Sequence, residues 1–272
     1  PTPNLKKIIT PAQRVQELLT QEFTEQDPSG YERNANELYN AFRKKNERYI
    51  GLLAKEFEMR KAASKYAKAK TAETGDLDIG KIFKYQIDDN IFKRVMKVPK
   101  GKSHGLVLLL DRSGSMSDNL AASYEQILIF AMFCRKVNIP FTAYGFGNNY
   151  GVRQIDYPHT EVGECFNKSI GDLDLDTVYL REMINSKMGN AEFSKSVKNI
   201  LCLIDSWTNG YRYSRRGEYF SRPVSDSLSN TPLTEALIAC QPLLNDFRKQ
   251  NNLDIVNLCV VHDGDADDTG RY

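Results

Sequence analysis

The chain has 272 residues, of which 41% are hydrophobic, so it can bury the core of one large domain or of one domain with an appendage. No window approaches the run of about 18 apolar residues that a membrane span needs, and residues 1–10 lack the apolar stretch of a signal peptide. The composition therefore supports neither a membrane-spanning nor a secreted protein, and it predicts a cytoplasmic one.

The net charge of +2 conceals an asymmetry between two parts of the chain. Residues 1–104 carry 21 Lys and Arg against 14 Asp and Glu, whereas residues 105–272 carry 16 against 21. We therefore expect a domain boundary near residues 101–105. The charges of the basic part are interleaved, which is more typical of a solvated helix surface than of a nucleic-acid interface, so no nucleic-acid partner is expected.

The five cysteines predict reduced thiols. Their number is odd, they are widely spaced without a C-x-x-C pair, and four of them fall inside apolar helix or strand patterns. Neither a disulfide framework nor a zinc site is expected from this usage. The cysteines are Cys134, Cys165, Cys202, Cys240 and Cys259.

Residues 1–73 are expected to form a helical N-terminal region. Apolar residues at helical spacing predict a short helix over 11–25 and a long amphipathic helix, or two in line, over 31–72. A hairpin that folds back at Gly51 is the open alternative. An unbroken helix would extend roughly 60 Å, so its apolar stripe must meet another helix, a partner or a second copy of the chain. Self-association through residues 31–72 is one such possibility.

Residues 105–272 predict an α/β domain. The run at 106–110 is apolar without alternation, as expected for a strand buried on both faces of a parallel sheet. Strands and helices then alternate, which predicts a doubly wound, mostly parallel sheet. The predicted elements are a helix over 120–137, strands over 141–146 and 152–155 (the latter in an antiparallel edge hairpin), helices over 191–207 and 232–249, and a buried strand over 255–261.

Two stretches have no clear pattern. Residues 74–104 are interpreted as a connector packed on the sheet domain. The connector begins at residues 74–76, which interrupt the helical pattern. Residues 156–230 read as an insert. Its acidic run at 172–176 is more typical of a solvated turn than of a calcium site, and its Arg and Tyr residues at 211–220 are more typical of a surface loop than of a base-stacking surface.

A cluster of oxygen ligands follows the first buried strand. Asp111, Ser113 and Ser115 form an Asp-x-Ser-x-Ser motif at the carboxyl end of that strand, where open α/β sheets bind ligands. Thr231 stands just before a predicted helix, and Asp263 follows the buried strand over 255–261. These five oxygen donors from three loops suit Mg²⁺, or Mn²⁺, rather than zinc, and they leave a coordination position open.

The same residues allow other interpretations. Two carboxylates could end their strands without a metal, although like charges at one edge favour a cation between them. His262 could be a general base but is more often a packing residue at such a position. The spacing around Ser113 does not form the G-x-S-x-G turn of a serine hydrolase, and Gly145, Gly147 and Gly151 miss the dinucleotide-binding pattern.

The three loops resemble a von Willebrand factor A (VWA) domain with a metal-ion-dependent adhesion site. Asp111, Ser113 and Ser115 match the first loop of that family, Thr231 the second and Asp263 the third. Residues 74–272 further resemble the C-terminal part of the T subunit of aerobic cobaltochelatase. The matching runs are 75–78, 109–116, 144–146, 230–237 and 263–268.

The resemblance implies a function. The cobaltochelatase family pairs a VWA domain with a hexameric AAA+ ATPase, and relatives of this pair also occur in tailed bacteriophages. The leading hypothesis is a non-catalytic adaptor whose bound Mg²⁺ accepts an Asp or Glu of a partner protein, as in a chelatase or remodelling complex. The alternative is a structural or virion assembly protein that uses the long helix. The location would be the host cytoplasm, or the virion if a phage encodes the chain.

The sequence has no G-x-x-x-x-G-K-[ST] phosphate-binding loop, so we expect any ATP hydrolysis to come from the partner. A strand over 255–261 that ends the sheet would expose an apolar edge, which proteins in solution avoid. We therefore expect a longer natural polypeptide, or another chain, to cover that edge.

Overall fold

The computed structural model describes residues 5–67, 70–77, 92–97, 102–148, 178–209, 220–228 and 230–264. The chain divides into two compact units, of which the first comprises Pro1–Gly51 with Ser103–Tyr272 and the second comprises Leu52–Lys102. The division between Lys102 and Ser103 falls within the range of 101–105 that the sequence indicates. The boundary expected after residue 73 differs, because the division lies after Gly51 and the first 51 residues belong with the sheet domain.

The elements of the described residues alternate between helices and strands. The helices are α1 (Leu5–Ile8), α2 (Ala12–Gln26), α3 (Tyr31–Ala67), α4 (Leu120–Lys136), α5 (Asn190–Asn209) and α6 (Leu233–Gln250). The strands are β1 (Ile9–Thr10), β2 (Lys70–Leu77), β3 (Phe92–Lys97), β4 (His104–Asp111), β5 (Phe141–Asn148), β6 (Val178–Asn185) and β7 (Ile255–Val261). Single 3₁₀ turns lie at Ser115–Asp118 and Val224–Asp226.

The main sheet has five strands in the order β1-β6-β5-β4-β7. Strand β4 pairs in parallel with both β5 and β7, and β1 pairs in parallel with β6. Strand β6 runs antiparallel to β5. The prediction of a mostly parallel α/β sheet is therefore confirmed.

Helices cover both faces of this sheet because successive side chains of its strands point to opposite sides. On β4, Leu108 and Leu110 join a core cluster with residues of α2 to α5. Val107 and Leu109 join a second cluster with residues of α1 and α6. Each such leucine, buried fully, stabilises the fold by about 1.5–3 kcal/mol, which explains why β4 has no polar residue between 105 and 111.

The N-terminal helices confirm part of the sequence prediction and correct the rest. Helix α2 matches the short helix expected over 11–25. Helix α3 is one helix of 37 residues, so the alternative of a hairpin at Gly51 is wrong, and the helix ends at Ala67. No proline occurs within this helix, so its backbone hydrogen bonds can continue through Gly51.

The second unit contains an antiparallel pair of strands, where a connector was expected. Strands β2 and β3 pair with Thr71 opposite Met96 and Glu73 opposite Arg94. The run at 74–76, which was expected to end a helix, lies within β2. Residues 74–76 are part of a strand because β2 pairs with β3. The two strands are some twenty residues apart in sequence, and their pairing leaves no periodic apolar pattern in either strand.

The expected insert over 156–230 contains two integral elements of the first unit, β6 and α5. The helix predicted over 191–207 is confirmed as α5, whereas β6 was not predicted. The strand expected over 152–155, the acidic run at 172–176 and residues 211–219 lie outside the described residues.

None of the helices in the described residues is both long and apolar enough to cross a membrane. Cys134, Cys202, Cys240 and Cys259 carry free thiols there, the first three of them buried.

Candidate metal site

The loop after β4 is folded around the side chain of Asp111. This carboxylate is fully buried and ends the strand. Its Oδ1 accepts a hydrogen bond from the backbone N–H of Ser113 at 2.9 Å, and its Oδ2 accepts one from the Ser113 hydroxyl at 3.0 Å. Asp111 therefore both closes the turn and fixes the hydroxyl of Ser113.

A row of hydrogen bonds continues from this turn to the loop after β7. The hydroxyl oxygens of Ser113 and Ser115 lie 3.0 Å apart, and the Ser115 hydroxyl donates to Oδ1 of Asp263 at 3.0 Å. Asp111 and Ser113 are buried, whereas Ser115 and Asp263 are exposed. The structure thus brings four of the five predicted residues together, in a site that opens to solvent on one side.

Thr231, the fifth predicted residue, is buried just before α6. The C-terminal residues Asp246 and Phe247 of this helix line a cavity of about 240 Å³ together with Phe141 and Thr142, where β5 begins. The helix therefore runs against the direction of β5, and its first turn lies towards the carboxyl ends of the parallel strands. This is the edge that carries Asp111; contact of Thr231 with the other four residues stays a prediction.

The electrostatics of the site favour a cation. Burial is the main cause that raises the pKa of Asp111 above its usual value, and the nearby carboxylate of Asp263 raises it further, while hydrogen bonds from Ser113 and the charge of His262 lower it. His262 itself is exposed, with Nδ1 3.1 Å from the carbonyl oxygen of Gly264. A cation held between the two carboxylates would stabilise both in their ionised form.

The donor set fits a hard divalent cation. Among the described residues there is no cluster of three or more His, Cys, Asp or Glu side chains that could hold a metal. The candidate site instead combines two carboxylates with hydroxyl oxygens, which suits Mg²⁺ or Mn²⁺ and offers no nitrogen or sulfur ligand for zinc.

A buried ion pair that the sequence does not predict follows the first ligand of this loop. Arg112 is fully buried, and its Nη2 donates to Oδ1 of Asp226 at 2.6 Å. Its Nη1 donates to the Tyr179 hydroxyl at 3.2 Å. Asp226 also accepts hydrogen bonds from Trp207 Nε1 at 2.7 Å and from the Tyr124 hydroxyl at 3.3 Å. The one sequence signal was an arginine inside a motif of small residues.

The side chain of Arg112 reaches Asp226 by crossing β5 at Gly145. A Cβ atom placed on Gly145 would lie 2.5 Å from Cδ of Arg112, which is closer than two non-bonded carbon atoms approach one another. Arg112 cannot move aside easily, because its guanidinium is held by Asp226 and Tyr179. Glycine is therefore required at this position of the strand by space rather than by backbone conformation.

Replacing this glycine is expected to destabilise the protein. Gly145→Ala should lower the free energy of unfolding by about 1–3 kcal/mol, because the added methyl group overpacks the core at Arg112. Urea denaturation measures the change. Gly189→Ala is the matched control, since a Cβ at Gly189 meets nothing within 4 Å. Equal stability of the two variants would contradict the packing described for Arg112.

Comparison with protein-family models, with curated proteins and with solved structures finds no match to this chain. What the site does must therefore follow from the residues that it brings together.

Proposed function

We propose that this chain is a metal-dependent adaptor of the VWA type, which holds Mg²⁺ at one edge of its sheet and binds a partner protein through that ion. The ligands are Asp111, Ser113, Ser115, Thr231 and Asp263, with Mn²⁺ as an acceptable substitute. The observation that carries the proposal is the hydrogen-bonded row from Asp111 through the two serines to Asp263.

The sheet supports this proposal because the two carboxylates leave neighbouring strands side by side. Strands β4 and β7 are paired in parallel, with Leu110 opposite Val261. Asp111 follows at the end of the first strand, and Asp263 stands two residues beyond the second. Two acidic side chains are therefore directed to one edge by the backbone pairing itself.

Each residue has a distinct task at the site. Asp111 supplies a buried charge, and its bonds to Ser113 set the shape of the loop. Ser115 and Asp263 are exposed, so they form the side of the site that a partner approaches. Bound Mg²⁺ supplies a Lewis acid with an open position, for which an Asp or Glu carboxylate is a suitable ligand.

The proposed partner is a AAA+ ATPase. This part of the proposal rests on the resemblance of residues 74–272 to the T subunit of cobaltochelatase. The absence of a phosphate-binding loop from the 272 residues agrees with it, because ATP hydrolysis would then belong to the partner. The chain would act as a non-catalytic subunit of a chelatase or remodelling complex, in the cytoplasm or in a virion.

Asp263→Ala tests the proposal. Asp263 is exposed, so its loss should leave the fold intact while removing one of two charges that hold the metal. We expect no Mg²⁺ binding by isothermal titration calorimetry at concentrations that saturate the unaltered chain. We also expect loss of a AAA+ ATPase that co-purifies with the unaltered chain in MgCl₂ but not in EDTA, as identified by mass spectrometry.

Asp246→Ala is the matched control, since it removes an exposed aspartate at the other end of α6. This variant should bind both Mg²⁺ and partner as the unaltered chain does. Failure of the unaltered chain to bind Mg²⁺ would refute the metal site. Equal partner retention in EDTA and in MgCl₂ would refute a metal-mediated interaction.

A further inference from the structure

The segment at 220–226, here called the clamp segment, connects the N-terminal helix α2 with the loop that carries the candidate ligands. Gln26 forms two hydrogen bonds with the backbone of Ser221: its Oε1 accepts from the N–H at 2.9 Å, and its Nε2 donates to the carbonyl oxygen at 3.2 Å. The backbone N–H of Ser225 donates to both carboxylate oxygens of Glu22, with nitrogen–oxygen distances of 3.1 and 3.2 Å. Helix α2 therefore holds the segment at both of its ends.

An aromatic cluster fixes the same contact. The rings of Phe23 and Phe220 have centroids 5.0 Å apart, and the ring of Tyr31 lies 6.2 Å from that of Phe220 in an edge-on arrangement. All three side chains are buried. The clamp segment is thus attached to the N-terminal helices by apolar packing as well as by hydrogen bonds.

The other side of the clamp segment contacts Arg112, in the loop after β4 that carries Asp111, Ser113 and Ser115. The guanidinium of Arg181 donates to the carbonyl oxygen of Ser225, and the next residue, Asp226, accepts from Arg112 and Trp207. Arg112 stands between Asp111 and Ser113 in the sequence, so its position and that of the two ligands are linked through one short stretch of backbone. Thr231 follows Asp226 by five residues.

We infer that α2 is a positioning element of the metal site, and that Glu22 and Gln26 set the affinity of the site for Mg²⁺ through the clamp segment. The inference rests on the proposed function. Groups that hold metal ligands in place commonly change metal affinity when they are removed, although they do not touch the ion. Residues far before the Asp-x-Ser-x-Ser motif in the sequence thereby become part of the binding machinery.

The double substitution Glu22→Ala and Gln26→Ala tests this inference on the full chain. We expect the dissociation constant for Mg²⁺ to rise about tenfold, at the lower end of the range for groups outside the ligand shell. The matched control is Gln21→Ala with Glu25→Ala, which removes the same two residue types from the exposed side of α2, where they bond only with each other in the described structure at 2.9 Å. The control should bind Mg²⁺ as the unaltered chain does.

A second measurement separates positioning from a purely structural role. Trp207 is the only tryptophan of the chain and bonds to Asp226, so its fluorescence reports on that residue. We expect Mg²⁺ to change the emission of the unaltered chain, and to do so in the double variant only at higher concentrations. Glu22→Gln keeps an oxygen acceptor for Ser225 and should retain the affinity of the unaltered chain.

The outcomes are distinguishable. If the unaltered chain does not bind Mg²⁺, the proposed function itself fails. If it binds and the folded double variant binds equally well, the inference fails while the proposed function stands. If the double variant does not fold, the single Glu22→Ala variant is titrated in the same way, and an unchanged dissociation constant there overturns the inference.

Discussion

Replacing Arg112 with methionine is expected to lower the free energy of unfolding by about 3–5 kcal/mol, the usual result of removing one partner from a buried ion pair. Methionine fills much of the same volume but carries no charge. Asp226, which is 1% exposed, would keep Trp207 and Tyr124 as donors but would lose the cation that is paired with it. Urea denaturation followed by circular dichroism and by Trp207 fluorescence measures the change.

Two further variants show whether the charge is the cause. Adding Asp226→Asn to Arg112→Met removes the uncompensated charge and should restore part of the lost stability. Arg43→Met removes an exposed ion pair, in which Nη2 of Arg43 lies 3.1 Å from Oε1 of Glu47. This substitution should lower the free energy of unfolding by at most about 0.5 kcal/mol. If Arg112→Met is no more destabilising than Arg43→Met, the ion pair does not stabilise the fold as described.

Asp111→Asn is expected to abolish stabilisation of the protein by Mg²⁺. The unaltered chain should gain about 2.7 kcal/mol at a Mg²⁺ concentration one hundred times the dissociation constant, because only the folded state binds the ion. Asparagine can still accept the N–H of Ser113, so the loop keeps that hydrogen bond while the charge is lost. Thermal denaturation in EDTA and in MgCl₂ measures the difference between the two proteins.

Asp118→Asn is the control for the loss of a negative charge near the site. Asp118 is exposed, is the last residue of the 3₁₀ turn that begins at Ser115, and is not among the proposed ligands. Its neutralisation should leave stabilisation by Mg²⁺ nearly unchanged. If Asp111→Asn and Asp118→Asn respond to Mg²⁺ as the unaltered chain does, Asp111 is not a ligand. In EDTA, Asp111→Asn should be about as stable as the unaltered chain, since it also removes repulsion with Asp263.

The sequence predicts those elements whose apolar pattern is complete within one segment. Strand β4 is an unbroken apolar run, and α4, α5 and α6 have apolar residues at helical spacing that end near their predicted bounds. Strand β6 was missed because Arg181 and Glu182 interrupt its apolar run. Arg181 is buried against the carbonyl oxygen of Ser225, and Glu182 accepts hydrogen bonds from Thr142 and Asn185. Ser225 and Thr142 are distant in sequence from β6, so no local pattern reveals these contacts.

The candidate ligands were predictable for a related reason. Asp111, Ser113 and Ser115 stand within one short motif, and Asp263 follows a strand that its own residues identify. Arg112 and Asp226 were not predictable as a pair, because 114 positions separate them and a buried charge resembles a surface charge in the sequence. The role of α2 was hidden for the same reason: Glu22 and Gln26 are ordinary polar residues until the clamp segment lies beside them.

Among the described residues, the proposed ligands include two carboxylates, Asp111 and Asp263, and Arg112 beneath them is paired with Asp226. With a divalent cation in place, Asp111 and Asp263 would make the site electroneutral. Such a site projects almost no field beyond its own edge, so an acidic partner would not be drawn to it from a distance. Recognition would begin only when a carboxylate reaches the ion itself, and the strength of the association would vary little with ionic strength.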